Sequence, residues 1–258
     1  ETRLGITQNI PVPEIQLSTN EILTTAQEQE AFDPRDFKNS LSLEQYENYP
    51  KVKKWVKYFR TKGRKTFQRH IDRGHYYKPT ILKLLKQQGL PNEFYYMALI
   101  ESGFNTSALS SAKAMGIWQF IPATGKRYGL RIDRYVDERK DPIRATLAAA
   151  SYLNDLKNVF DSWFLAMASF NMGETRNLNL IMLYKTRNYW VLSEQKRFPK
   201  ETANYVPKFI AAYLIGENPE KYGLEKPSGA HMPDLISISI PSLLNSLKLV
   251  TLHISLSI

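Results

Sequence analysis

The chemistry-bearing residue that stands out is Glu101, in "YYMALIESGFNTSALSSAKAMGIWQF" at residues 95–120. On a helix, Phe94, Met97, Ala98 and Glu101 fall at i, i+3, i+4 and i+7, and therefore on one face. That face is otherwise apolar, which puts the carboxyl at the edge of a core. It also falls in the last turn, where the helix dipole disfavours a negative charge. Desolvation and dipole act in the same direction and raise the pKa. A carboxylic acid still protonated near neutral pH is what a general acid needs. Spacing alone leaves a second reading open, a glutamate paired with Arg or Lys at a helix end. The loop that follows is polar and rich in small residues. Its Gly116 would let backbone approach a ligand closely, and Gln119 offers both donor and acceptor.

The elements that must position these residues are helical. Residues 51–59 and 66–73 show 3.6-residue spacing on either side of Gly63, and "YKPTILKLLKQQG" reads as a separate helix closed by Gly89. "KDPIRATLAAASYLNDLKNVF" has Asp141 as N-cap and Pro142 at the first helical position. "SWFLAMASFNMG" and "ETANYVPKFIAAYLIG" complete the convincing helices, with Pro207 expected to open the second part of the last. Short connections predict one compact all-α domain. The expected organisation is an extended N-terminal arm with a short helix at 1–40, the domain at 41–224 with a basic helical lead-in at 51–88, and a tail at 225–258. The tail contains "SGAHM", which resembles a cloning junction, so it is expected to be partly non-native. It reads as a strand pair or an amphipathic appendage.

The chain has 258 residues, 43% of them hydrophobic, and a net charge of +10. No stretch approaches the roughly 20 apolar residues that span a bilayer. The absence of cysteine excludes disulfides and thiolate chemistry. Histidine spacing gives no metal site, and no cofactor is expected. Much of the positive charge lies at 51–79, where eleven Lys and Arg meet only Asp72. Such a patch attracts polyanions. No nucleic-acid-binding motif accompanies it, and Trp55, Tyr58 and Phe59 read as the helix's apolar side rather than as base-stacking groups.

Four ordered segments, "ALIESGF", "AMGIWQFIPATGKRYGL", "ASFNMGETR" and "ETANYVPKF", resemble the motifs of family 1 lytic transglycosylases in glycoside hydrolase family 23, with the membrane-bound D type the nearest subgroup. The likeness runs over about 45–223. It implies a goose-type, lysozyme-like helical fold and cleavage of the β-1,4 bond between N-acetylmuramic acid and N-acetylglucosamine in peptidoglycan. It implies Glu101 as the single acid/base. It also implies substrate contacts by Ser102, Ser110, Gln119 and Asn171, with Glu201 and Tyr205 lining the muramic acid side. Phe170 stands where the family has a tyrosine. The lost hydroxyl is one hydrogen bond, worth about 0.5–1.5 kcal/mol. Phe170 either fills the same volume neutrally or alters recognition of the acetamido group, towards de-N-acetylated glycan. The implied partners are peptidoglycan strands, with anionic wall polymer on the basic 51–73 region, no nucleic acid and no integral membrane segment. The implied location is the periplasm or cell envelope, reached by secretion, although no signal is present in this chain. A hydrolytic lysozyme on the same fold and a non-catalytic wall-binding module are the alternatives.

Overall fold

The computed structural model describes residues 41–233, 235–237 and 253–255. The arm and helix expected within 1–40, and most of the tail, lie outside the described residues. Nine α-helices lie among those described: α1 (Pro50–Arg60), α2 (Arg64–Gln87), α3 (Tyr95–Ser102), α4 (Pro122–Arg127), α5 (Pro142–Phe160), α6 (Trp163–Met172), α7 (Glu174–Tyr184), α8 (Tyr189–Ser193) and α9 (Lys200–Glu217). Two short strands, β1 (Leu235–Ser237) and β2 (His253–Ser255), pair antiparallel with Leu235 opposite Ser255, which is the strand-pair reading of the tail.

The fold is built round α3. Every residue from Tyr95 to Ile100 is buried, so the helix has no solvent face before its last two residues, as expected of a segment apolar all round. The single apolar face expected from spacing is thus only part of what is buried, and Phe94 belongs to a 3-10 turn, Asn92–Phe94, that precedes the helix. α2 and α9 pack on α3; α1 and α6 pack on α9, and α5 joins α2 to α6. The ends of α5 and α6 are fixed by caps. The Asp141 carboxylate accepts from the Ile143 and Arg144 amides, and Ser162 Oγ accepts from Leu165 N.

One expectation is corrected. α2 is a single helix through Pro79 rather than two helices. Proline has no N–H to give to the carbonyl four residues back. That carbonyl, His75 O, lies 2.9 Å from His231 Nδ1, and Met232 N donates to Tyr76 O at 2.7 Å. The chain after α9 therefore returns across the proline and satisfies the groups a break would otherwise expose. Gly74 lets α2 pass close over α3, since a Cβ there would stand 2.4 Å from the Tyr95 hydroxyl oxygen. α9 likewise runs unbroken through Pro207. α7 and α8 were not among the helices expected from the sequence. The apolar side chains of α7 do not form one face: Leu180 and Ile181 are buried, whereas Leu178, Met182 and Leu183 are exposed.

Candidate active site

The C-terminal end of α3 is fixed from several sides. Gly103 closes it in the left-handed region at φ 58°, and a Cβ on Gly103 would collide with the His70 ring. The last carbonyls of a helix need donors from outside it. Lys208 Nζ donates to Ile100 O at 2.9 Å, and beyond the helix Arg73 Nη1 donates to Gly103 O at 2.8 Å. Both cations also complement the negative end of the helix dipole. Ser102 Oγ donates to Ile117 O at 3.0 Å, tying the helix end to the following loop.

Glu101 sits, partly buried, between these anchors. Its Oε1 accepts a 2.6 Å hydrogen bond from the Tyr205 hydroxyl, and among the described residues no Lys or Arg forms an ion pair with it. Burial pushes its carboxyl up to about 7, against the downward pull of the Tyr205 bond and of Lys208, with Glu201 adding a smaller push upward. Of the two readings left open by spacing, the described residues show no ion pair and a partly buried acid. The burial that raises Glu101 also drives the Tyr205 hydroxyl well above its ordinary range, so Tyr205 stays a donor.

α9 brings Glu201, Tyr205 and Lys208 to the acid at i, i+4 and i+7, on one face. Glu201 is exposed; Tyr205 is buried. Asn171, near the end of α6, accepts from Thr202 Oγ1 at 2.7 Å, which joins α6 to the first turn of α9. Phe170 is half-buried against Tyr152, Phe120 and Trp118, with ring centroids 5.3, 6.0 and 6.4 Å away. Trp118 is fully buried, with Nε1 donating to Thr146 Oγ1 at 2.9 Å, and so belongs to the core rather than to a sugar platform.

The loop residues are engaged differently from what their types alone suggest. Gln119 gives its Nε2 protons to Ala108 O at 3.1 Å and Gly116 O at 2.8 Å, so what it still offers is the acceptor Oε1. Ser110 Oγ accepts from Ala114 N at 3.0 Å, leaving its proton to give. The close approach at Gly116 is to the protein itself. Its φ is +82°, and a Cβ there would stand 1.8 Å from the Arg139 carbonyl oxygen.

Arg139 was missed in the sequence. It is 6% exposed, pairs with Asp137 at 2.7 Å, and donates to Lys113 O and Phe120 O at 2.8 and 2.9 Å. One buried guanidinium thus holds both sides of the Gln119 loop, yet in "VDERKDP" it is indistinguishable from a surface charge. The other carboxylates near in sequence are occupied. Asp137 pairs with Arg139, Asp141 caps α5, and Glu174 takes Arg127 at 2.6 Å and the Tyr152 hydroxyl at 2.8 Å. The basic stretch is also less uniform than its sequence. Lys51 pairs with Glu194 and Lys78 with Glu217, while Arg73 turns towards the site; Lys53, Lys54, Lys57, Lys62, Arg64 and Lys65 remain exposed.

A family model described as "Transglycosylase SLT domain" matches residues 79–193. The chain is similar to membrane-bound lytic murein transglycosylase D of Escherichia coli (strain K12), 38% identical over 149 residues, which are 56% of this chain and 32% of that protein. It is similar to a putative tributyltin chloride resistance protein of Alteromonas sp. (strain M-1), 39% identical over 108 residues, 42% of this chain and 52% of the other. The chain thus spans about a third of the first of these relatives and about half of the second. Among solved structures, an inactive mutant of lytic transglycosylase Slt from Pseudomonas aeruginosa aligns at TM-score 0.42 and 19% identity, over 58% of this chain and 24% of that one.

Proposed function

We propose, for a chain whose residues 79–193 match the transglycosylase SLT domain, membership of the lytic transglycosylases and cleavage of peptidoglycan glycan strands with Glu101 as the one acid and base. The observation that carries the proposal is the state of Glu101: a partly buried carboxyl raised to about 7, bonded by Tyr205 and, among the described residues, in no ion pair. Such a group is populated in both protonation states near neutral pH, which a residue that must first give and then take a proton requires.

In the first step Glu101 protonates the glycosidic oxygen between N-acetylmuramic acid and N-acetylglucosamine. The oxocarbenium-like transition state draws on the substrate's own acetamido group and on nearby dipoles. Glu101, now a carboxylate held by Tyr205, takes the proton of the muramyl C6 hydroxyl, which closes on C1 to leave a 1,6-anhydro end. Ser102 and Asn171 act from their places at the ends of α3 and α6. Gln119 Oε1 and the Ser110 proton face substrate, and Gly116 sets the loop that carries them. Glu201 and Tyr205 line the muramic acid side. Exposed Lys53, Lys57 and Lys65 hold anionic wall polymer, and the site of action is the cell envelope. Phe170 withholds a hydroxyl beside the acetamido group, which alters recognition there and admits de-N-acetylated strands; equal or better cleavage of fully acetylated strands would sink that part.

A hydrolytic lysozyme reading draws on Glu201, the carboxylate whose field reaches Glu101, because inverting hydrolysis needs a second carboxylate to activate water. The test of the main reading is Glu101→Gln. Lysis of peptidoglycan sacculi should vanish while binding to them persists, and undiminished lysis refutes the assignment.

A further inference from the structure

A cavity of about 220 Å³ lies on the α1–α2 side of the acid's helix. Trp55 and Tyr58 of α1 form one wall, their rings edge to face at 5.5 Å. His70 and Thr66 of α2 form another, and Ile100 and Lys208 close it towards Glu101. Among the described residues no aspartate or glutamate lines it. Lys208 spends one of its three protons on Ile100 O and stands 5.9 Å from the Trp55 ring centroid. Among the described residues no carboxylate forms an ion pair with it. The cavity is smaller than those that enclose a drug-sized ligand, so it suits a single residue-sized group.

We infer that this cavity is a subsite for a carboxylate borne on a small group, of the kind an acidic peptide attached to the glycan would present, with Lys208 as the receiving cation and the Trp55 and Tyr58 rings covering the group's apolar part. The inference rests on the proposed action on peptidoglycan for its biological sense, but not for its chemistry. An anion here meets a wall whose charged groups are cationic; burial holds the Lys208 pKa down, while Glu101 and Glu201 act on Lys208 from outside the lining. The same wall acts on His70: burial, together with Arg73, Lys208 and Arg69, holds its imidazole down at about 4. Arg69 and Arg73 reach His70 from its own helix and Lys208 from α9, while the α3 side presents Leu99, Ile100 and the Gly103 backbone, none of them charged. A carboxylate entering the cavity offsets that field and raises the His70 pKa, which makes the ring a built-in reporter.

The test is a titration of the whole chain, followed by NMR of the His70 ring protons, with N-acetyl-alanyl-glutamate and with its neutral diamide. The expected result is saturable binding of the acid that raises the His70 pKa by about one pH unit, and no such change with the diamide. Lys208→Met should abolish the response and Lys208→Arg should keep it. Equal responses to acid and diamide, no response to either, or a response that survives Lys208→Met overturns the subsite. The acid–diamide comparison on the unmodified chain requires no variant to fold. Glu101→Gln separates the two proposals. A response kept in a lytically inactive variant supports both, whereas a response kept with lysis undiminished overturns the catalytic reading alone.

Discussion

Replacing Glu101 by glutamine should stabilise the fold, by an amount that grows with pH. In the folded chain the carboxyl is raised from an ordinary 4.5 to about 7, mainly by burial. Between those values the folded protein holds a proton that the unfolded chain has released. Wild-type stability is therefore complete below about 4.5, falls as pH rises through the window, and levels off above about 7. The full rise corresponds to about 3 kcal/mol, a large part of the 5–15 kcal/mol typical of a domain. Glutamine has no proton to lose, fills the same volume, and its Oε1 can still accept from Tyr205. The difference between variant and wild type should thus be near zero at about pH 4 and reach about 3 kcal/mol in favour of glutamine at about pH 8. Urea unfolding followed by circular dichroism at a series of pH values measures it. Groups other than residue 101 titrate in both proteins and cancel in the difference. A difference independent of pH, or one that shrinks as pH rises, refutes the placement of a raised carboxyl at this position.

Tyr205→Phe removes the hydroxyl that stabilises the Glu101 carboxylate. The alkaline limb of the pH–rate profile should move upward while turnover falls, because a hydrogen bond to a charged group is worth about 1.5–3 kcal/mol; an unmoved limb contradicts the role. Gly116→Ala places a methyl against the Arg139 carbonyl at a positive φ. It should lower unfolding free energy by more than about 1 kcal/mol and reduce activity with it, as denaturant titration would show. Arg139→Met leaves Asp137 and two loop carbonyls without their donor. A loss of about 3–5 kcal/mol is expected, with proteolysis at the 105–121 loop as the second readout.

Much of the helical frame was legible in the sequence because caps and prolines have local causes. Asp141 and Ser162 act within three residues of themselves. The α2 break was misread because the donors that heal Pro79 come from His231 and Met232, more than 150 residues further on. α7 escaped because its leucines do not share a face. At the site, the phase of Glu101 gave a raised acid, and Tyr205 stood out through the family likeness. Lys208 and Arg139 did not stand out. Each is a cation in a basic chain, and only tertiary contact shows that one holds the Ile100 carbonyl and the other the Gln119 loop. The glycine at 116 was legible as a close approach but not by what, since Arg139 is far off in sequence.

The most direct test of the central claim is digestion of peptidoglycan in water enriched in heavy oxygen, with mass spectrometry of the new chain ends. If Glu101 serves as both acid and base for closure by the C6 hydroxyl, every new muramyl end is lighter than a reducing end by one water and carries no heavy oxygen. Heavy oxygen at new reducing ends contradicts the claim and makes the reaction a hydrolysis.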